Sequence, residues 1–302
     1  MIKDMITKEK GIIMKEIDII NACTDLGVAV DGASLGPDEL TKDLKGKNLR
    51  GIYKLYANEE NKEKEKDNKK KNLKNLNIFN EKLYNTVLDV IDRNNFPLTL
   101  GGDHSLVVAS ALASINRNKS LGIIWIDAHG DFNTFDTTIT GNIHGLPLAA
   151  ITGYEKRELV SFHNDNFYKF KNTVIVGGRD IDPLEIENLK DAGVTIFSTD
   201  EIHKRGMSAV MEDAIKIACD GTDGMHISYD LDVIDPKICP GVSVPADNGI
   251  NLDEAYIAVD EIIKHKDKLK SLDLVEFNPL KDINNKTKII AKTILKSLIN
   301  NI

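Results

Sequence analysis

Short apolar runs of four to six residues recur along the chain and alternate with longer stretches in which apolar positions are three or four residues apart. Residues 121–126 form a continuous apolar run, which is typical of a strand that is buried on both faces of a parallel sheet, and the other runs are largely apolar. They predict strands over residues 16–21, 96–100, 121–126, 173–176, 194–197, 225–229 and 272–275.

Apolar residues at helical spacing lie between these runs. Residues 79–91 carry Phe79, Leu83, Val87 and Val90 on one face, and similar spacing predicts helices over residues 106–115, 207–218, 253–263 and 286–298. Strands that alternate with helices imply crossover connections and a parallel sheet. The pattern therefore predicts an α/β fold, a three-layer α/β/α single domain over residues 1–302 with a mainly parallel sheet.

One tract interrupts this alternation of predicted strands and helices. Residues 58–77 are rich in lysine, glutamate and asparagine and contain almost no apolar side chains. Such a composition buries too little apolar surface to order itself. We therefore predict a charged surface loop at 58–77.

Composition narrows the class of protein. The net charge of 39 − 47 = −8 argues against a nucleic-acid partner, while leaving a cationic small molecule open. No run of about 18 apolar residues predicts a membrane span, and residues 1–15 contain no apolar run typical of a secretory signal. Cys23, Cys219 and Cys239 lack paired spacing and fit free thiols, so we expect a cytoplasmic protein.

Aspartate and histidine concentrate where three predicted strands end. His104, the segment 127–131 (Asp-Ala-His-Gly-Asp) and the pair Asp230 and Asp232 each follow such a strand. In the last two motifs these residues alternate with single others, so their side chains share a face in extended chain. Ligands of parallel α/β sheets bind beyond the carboxyl ends of the strands, so we expect these side chains to converge.

Converging carboxylates repel one another unless cations lie between them. The four aspartates of these motifs carry four negative charges, which two divalent cations balance: Asp127, Asp131, Asp230 and Asp232. Oxygen ligands with a minority of imidazole suit Mn²⁺ better than thiolate-binding metals. Two ions about 3.5–4 Å apart can lower the pKa of a shared water and supply a nucleophile near neutral pH. The motifs thus predict a binuclear site for hydrolysis at an electrophilic, cationic carbon.

Taken singly, each residue has an ordinary structural alternative. Asp103 and Asp235 fit helix caps or turns, and His104 fits a structural histidine in a turn. The joint occurrence of six such residues at three strand ends favours the metal site.

The motifs also resemble those of a known family. Besides those above they are Gly-Gly-Asp-His-Ser at 101–105, Ser-Tyr-Asp-Leu-Asp at 228–232 and Leu-Asp-Leu-Val-Glu-Phe-Asn-Pro at 272–279. From about Asp18 to the C-terminus the chain resembles the ureohydrolases, which include arginases and agmatinases. Residues 133–145 (Asn-Thr-Phe-Asp-Thr-Thr-Ile-Thr-Gly-Asn-Ile-His-Gly) and 272–279 are most similar to the arginase branch. The resemblance implies an arginase/deacetylase-like fold, cleavage of L-arginine to L-ornithine and urea, two Mn²⁺ per chain, and a homotrimer or hexamer.

The resemblance also implies roles for individual residues. One manganese ion would be held by His104, Asp127, Asp131 and Asp230, and the other by Asp127, His129, Asp230 and Asp232. The catalytic residues would be Asp131, His144 as proton shuttle and Glu276 as partner of the guanidinium group. The substrate α-carboxylate would contact Asn133, Thr140 and Asn142, and the α-ammonium would contact Asp182 and Glu185, directly or through water.

Two positions depart from the arginase pattern. Thr140 stands where serine is common and keeps the hydroxyl, whereas Val244 stands where a threonine is usual and loses one. Val244 leaves open another ureohydrolase specificity, for agmatine, a guanidino acid or formiminoglutamate. A non-catalytic metal-binding relative is the remaining alternative.

Overall fold

The computed structural model describes residues 15–60, 62, 69–155, 157–163 and 166–302. The N-terminal segment in which we expect no secretory signal lies outside these residues, apart from Lys15. Residues 61 and 63–68 of the charged tract lie outside them as well.

The described residues form an eight-stranded parallel sheet. In chain order the strands are β1 (Ile17–Cys23), β2 (Leu49–Tyr56), β3 (Phe96–Gly101), β4 (Gly122–Ile126), β5 (Thr173–Gly178), β6 (Thr195–Ser198), β7 (Met225–Asp230) and β8 (Leu269–Val275). Across the sheet their order is β2-β1-β3-β8-β7-β4-β5-β6. The predicted α/β class is confirmed, and each predicted strand is found within three residues of its expected bounds.

The sequence pattern missed one strand, β2. Its residues are half-buried or exposed, because it lies at the edge of the sheet and pairs only with β1. An edge strand needs no continuous apolar run, and Leu49–Tyr56 has none.

Helices cover both faces of the sheet. They are α1 (Gly36–Thr41), α2 (Leu73–Asp92), α3 (Val107–Asn116), α4 (Pro147–Ile151), α5 (Pro183–Ala192), α6 (Thr199–Arg205), α7 (Met207–Ala218), α8 (Leu252–Lys264) and α9 (Lys286–Asn301). Apolar side chains of α7, α8 and α9 pack on one face of the sheet, and those of α2, α3 and α4 pack on the other. The three layers match the prediction.

Local sequence signals set the ends of several helices. Asp182 and Glu185 form a capping box at the start of α5, and Gly193 ends that helix with φ 75°. Asn251 and Glu254 form the same box at α8. Each box satisfies backbone N–H groups that a helix N-terminus leaves without partners.

The charged tract is less solvated than predicted. Lys62 forms an ion pair at 2.8 Å with buried Asp25, and Lys71 and Asn72 are buried. Helix α2 begins at Leu73, and Leu76 is part of the core. The prediction of a surface loop is therefore wrong for residues 73–77, which form the first turns of a packed helix.

Of the helices in the described part of the chain, none is long and apolar enough to span a membrane.

Candidate metal centre and substrate cavity

The predicted metal ligands lie together at the carboxyl edge of the sheet. They follow β3, β4 and β7, and β7 pairs directly with β4, so that Ile126 stands beside Tyr229. Asp127 and Asp230 therefore start from neighbouring positions. Between β3 and β7 lies β8, which ends immediately before Glu276.

The first ligand group is centred on the Nδ1 atom of His104. This nitrogen lies 3.0 Å from one carboxylate oxygen each of Asp127, Asp131 and Asp230. All four side chains are almost fully buried. Asp131 reaches this position from a left-handed backbone conformation with φ 48°, which few residues other than glycine adopt.

The second group is centred on His129. Its Nδ1 atom lies 3.3 Å from Asp127 Oδ1 and 3.1 Å from Asp232 Oδ2. Asp127 therefore belongs to both groups, because its Oδ2 atom faces His104. Asp230 differs: only its Oδ2 atom faces His104, while Oδ1 accepts the backbone N–H of Asp232 at 2.8 Å.

The two groups fit divalent cations. His104 Nδ1 makes no hydrogen bond, although three carboxylate oxygens lie 3.0 Å from it. A nitrogen and several oxygens that converge without a shared hydrogen bond have lone pairs available for a cation. The donor set of carboxylate and imidazole groups suits Mn²⁺ and similar ions. The sets His104–Asp127–Asp230 and Asp127–His129–Asp232 can each hold one metal ion.

Burial and mutual charge shift the pKa values of these ligands. Burial raises the pKa of Asp230 well above its usual range, and Asp232 and Asp127 add to the shift. Burial lowers the pKa of His104, but its carboxylate neighbours outweigh burial and raise that pKa well above 6.5. The crowded carboxylates therefore favour positive charge between them, and metal binding to these groups would compete with protons.

Glu276 lies behind the first group and has one oxygen available. Its Oε1 atom accepts the backbone N–H of His104 at 2.9 Å and lies 3.1 Å from His144 Nδ1. Its Oε2 atom is buried and has no hydrogen-bond partner. An unpartnered buried carboxylate oxygen is costly, so it marks a place where a cationic donor would be stabilised.

His144 stands at the rim of the site with its side chain 16% exposed. Burial lowers its pKa, but the contact with Glu276 outweighs burial, and the pKa lies above the usual 6.5. The histidine is thus held by a carboxylate at one nitrogen and reaches the cavity with the rest of its ring.

A cavity of about 250 Å³ opens over both groups. All but two of the predicted site residues line it, the exceptions being Asp127 and Glu276, which lie deeper. The lining residues are His104, His129, Asp131, Asn133, Thr138, Thr140, Asn142, His144, Gly145, Asp180, Asp182, Glu185, Asp230, Asp232 and Val244. Val244 therefore presents an apolar side chain to the cavity at the position where we noted the missing hydroxyl.

The segment 133–142 forms one wall of the cavity through its own hydrogen bonds. Asn133 donates to Asp182 Oδ2 at 3.1 Å and accepts from the Thr137 hydroxyl at 2.9 Å. The Thr140 hydroxyl accepts the backbone N–H of Asn142 at 3.2 Å. Asn133, Thr140 and Asn142 thus line the same cavity as the ligand groups.

Glu185 lines the cavity with both oxygens already engaged. Oε1 accepts the N–H of Phe132 at 2.6 Å, and Oε2 accepts that of Asp182 at 3.1 Å. Burial raises the pKa of Glu185 to about 8. Glu185 therefore fastens the segment after Asp131 to the start of α5, in addition to any contact with a ligand.

Several residues of the site were not indicated by the sequence motifs. Ser228 Oγ lies 2.8 Å from His104 Nε2, and Trp125 donates to Asp127 Oδ2 at 2.9 Å and stacks on the His104 ring at 4.0 Å. Both stand two residues before a ligand on the same strand, and this period-two spacing could have found them. Thr138 and Asp180 come from loops and carry no such signal.

The comparisons with known proteins agree with this arrangement. The arginase family model matches residues 15–300, so the chain belongs to the arginase family. An arginase of Bacillus subtilis is 37% identical over 296 residues, covering 94% of this chain and 98% of its own. The native structure of the Bacillus caldovelox arginase superposes with a TM-score of 0.87 at 33% identity, covering 95% and 98% of the two chains. The Entamoeba histolytica arginase in complex with L-ornithine gives 0.85 at 28% identity, covering 94% and 98%.

Proposed function

We propose that this protein hydrolyses the guanidinium group of L-arginine and releases L-ornithine and urea. The observation that carries the proposal is the pair of ligand groups joined by Asp127, next to the unpartnered oxygen of Glu276. The ligand groups can hold the metal ions for hydrolysis, and Glu276 Oε2 can accept an N–H of a guanidinium fork. The arginases named above support the same reaction.

The proposed cofactor is two Mn²⁺ ions per chain. His104, Asp127, Asp131 and Asp230 would hold one ion, and Asp127, His129, Asp230 and Asp232 would hold the other. Asp127 directs one oxygen to each group, which supports a bridging role. Asp230 would contribute Oδ2, because Oδ1 accepts the backbone N–H of Asp232. Such a pair of ions lowers the pKa of a water between them and so supplies a nucleophile.

The chain's own residues orient the substrate and move protons. Glu276 would hold the guanidinium group through Oε2, with Oε1 fixed by the His104 amide. Asp131 would hold the hydrogen of the attacking water at Oδ1, the oxygen that does not face His104. His144 is held at Nδ1 by Glu276, which leaves Nε2 to give a proton to the departing amine of ornithine.

The far end of the cavity would bind the α-amino acid group. Asn133, Thr140 and Asn142 present amide and hydroxyl groups for the α-carboxylate, and Asp182 presents a carboxylate for the α-ammonium. Glu185 would act on the ammonium through water, because both of its oxygens accept backbone N–H groups.

A second candidate is a different guanidino or amidino substrate. Val244 lines the cavity without the hydroxyl that arginases commonly have there. This change favours agmatine, a guanidino acid or formiminoglutamate over arginine, whereas the polar wall 133–142 favours an α-amino acid.

The test is urea release by the manganese-loaded protein from a panel of arginine, agmatine and guanidino acids, with formiminoglutamate assayed by loss of its amidino group. We expect arginine to give the highest kcat/KM and the folded protein to contain about two metal ions per chain. A higher kcat/KM for agmatine would establish the alternative specificity. Bound metal without turnover of any compound would identify a non-catalytic relative and overturn the proposal.

Two further proposals concern the protein in the cell. A cytoplasmic location is supported by three cysteines that are all free thiols. A homotrimer or hexamer is supported by the family resemblance alone, and light scattering of the purified protein measures it.

A further inference from the structure

The end of the charged tract contacts the segment 133–142, which forms one wall of the cavity. Lys69 donates to the carbonyl oxygen of Asp136 at 2.8 Å, and the ammonium group of Lys70 lies 5.2 Å from the centre of the Phe135 ring. Lys71 donates to the carbonyl oxygen of Thr140 at 2.7 Å. Three consecutive lysines therefore contact the segment 133–142, and none of them is among the residues that line the cavity.

Lys71 differs from its neighbours in being buried. It is 4% exposed, whereas Lys69 and Lys70 are exposed. A buried ammonium group is costly unless it is hydrogen-bonded, so its bond to the Thr140 carbonyl is held strongly. Thr140 itself is exposed and lies in a segment without regular secondary structure. The lysine therefore supplies a fixed point to a part of the wall that has few others.

Asn72 extends the connection to the catalytic end of the site. Its side-chain amide donates to the carbonyl oxygen of Leu26 at 2.9 Å. The next residue, Gly27, accepts the backbone N–H of His144 at 3.1 Å and donates to Asp103 at 2.9 Å. Lys71 and Asn72 thus fix the Thr140 end of the wall relative to the turn that carries His144.

We propose that Lys71 is a positioning residue for recognition of the substrate α-carboxylate, acting through the backbone of Thr140. This inference rests on the proposed function, in which Thr140 and Asn142 hold that carboxylate. Loss of the ammonium group frees the Thr140 carbonyl, and the hydroxyl and amide groups of the wall lose their fixed spacing. The guanidinium end of the cavity, built from buried residues on the sheet, keeps its geometry.

The experiment compares Lys71→Met with the wild-type enzyme. L-ornithine carries the α-carboxylate and putrescine lacks it, so their inhibition constants report on the wall separately from the rest of the site. We expect Lys71→Met to raise the inhibition constant of ornithine and the KM for arginine about tenfold. The constant for putrescine and kcat should change less than about threefold.

Two further variants serve as controls. Lys74→Met removes an exposed lysine in the first turn of α2 and should behave as wild type. Lys71→Arg keeps a charged donor and should restore most of the discrimination between ornithine and putrescine. If Lys71→Met does not fold, Lys71→Ala, which also removes the donor to the Thr140 carbonyl, carries the same comparison.

The outcomes separate this inference from the proposed function. Equal effects on ornithine and putrescine, or none on either, in Lys71→Met would overturn the role of Lys71 while wild-type turnover of arginine stands. If the wild-type enzyme itself releases no urea from arginine and binds ornithine no better than putrescine, the proposed function fails and the role of Lys71 fails with it.

Discussion

At the residue scale, His104 is held through every part of its ring. Nδ1 faces the carboxylates, Nε2 lies 2.8 Å from the Ser228 hydroxyl, and the ring face stacks on Trp125. A histidine that binds a cation through Nδ1 carries its proton on Nε2 and donates it to Ser228. The serine hydroxyl can accept this proton and so orients the ring with Nδ1 toward the carboxylates.

Replacing Ser228 with alanine should weaken metal binding. Without the hydroxyl, His104 loses the acceptor that orients it, and we expect the affinity of the first metal position to fall about 10- to 100-fold. Competition with a metallochromic chelator measures the affinity. Ser110→Ala is the matched control, because it removes another buried serine bond, to Asp273, away from the ligand groups. Equal metal affinities in the two variants would contradict the prediction.

Replacing Glu276 with glutamine should impair turnover without loss of metal. The variant keeps an acceptor for the His104 amide, but it loses the buried negative charge that we propose faces the substrate guanidinium group. We expect kcat/KM for arginine to fall about a hundredfold or more, since removing one partner of a buried charged pair is costly. Urea release and metal content are measured together. Glu39→Gln, on the surface beside Lys288, should retain full activity.

The sequence predicted the charged ligands better than their supports. Asp127, His129 and Asp131 follow a strand with alternating spacing, so the sequence alone indicates a common direction. Trp125 belongs to the core by its burial and also donates a hydrogen bond to Asp127. His226 lies on β7 four residues before Asp230, yet it pairs with Asp273 and Ser271 rather than with a ligand group. Two-residue spacing along a strand indicates on which face of the sheet a side chain lies. It does not indicate which neighbouring strand supplies the hydrogen-bond partner.

At the element scale, the central strands were predictable and the edge of the sheet was not. Strands β3, β4 and β7 are buried along their whole length, and β4 is a continuous apolar run in the sequence. Strand β2 and the start of α2 mix charged and apolar residues, because each has a solvent-exposed side. Their positions depend on tertiary contacts such as the pair of Lys62 with Asp25, which no local pattern contains.

The start of the charged tract should make stability depend on pH. Burial, followed by a hydrogen bond with Asp25, raises the pKa of Glu59 from 4.5 to about 7. The folded state favours the protonated form of Glu59, so this proton stabilises the fold. The stabilisation is fully present below pH 4.5 and is lost as the pH rises through 7. Glu59→Gln has no titrating group at this position and should lack this pH-dependent stabilisation. The difference in unfolding free energy between wild type and variant should therefore change by about 1 kcal/mol between pH 5 and 8.

Urea denaturation of metal-free protein at both pH values measures this difference. Metal-free protein is used so that pH-dependent metal binding does not contribute. Glu60→Gln, one residue further along and exposed, is the control and should leave the pH profile as in wild type. If the unfolding free energies of Glu59→Gln and wild type changed with pH in the same way, protonation of Glu59 would not contribute to stability, and the prediction would be wrong.

At the scale of the whole molecule, the order of strands creates the site. Strands β3, β8, β7 and β4 are consecutive in the sheet although they are far apart in the chain, and each ends next to residues of the site. The sequence predicted which strand ends carry chemistry, and the parallel sheet places them on one edge. The sequence pattern could not predict that β8 lies between β3 and β7, because pairing between strands that are distant in the chain depends on packing rather than on local pattern.

Removing the metal ions should destabilise the whole fold. The ligand groups crowd four buried carboxylates at the centre of the sheet edge, so cations that bind only the folded state stabilise it. We expect chelation to lower the midpoint of thermal unfolding by about 5–10 °C, and added Mn²⁺ to restore it. Differential scanning calorimetry with metal analysis checks this. An unchanged midpoint after complete metal loss would contradict the prediction.

Asp127 gives the metal centre a further property, because its two oxygens serve different ligand groups. Under the proposed two-ion assignment, Asp127 would contribute to both metal positions, so occupancy of one position would affect the other. In a chain that carries a single ion, one carboxylate oxygen of Asp127 would have no cation beside it. We expect such a chain to have less than half of the activity of the chain with two ions. Activity plotted against metal per chain should curve upward, so partly loaded preparations would understate the turnover of the fully occupied molecule.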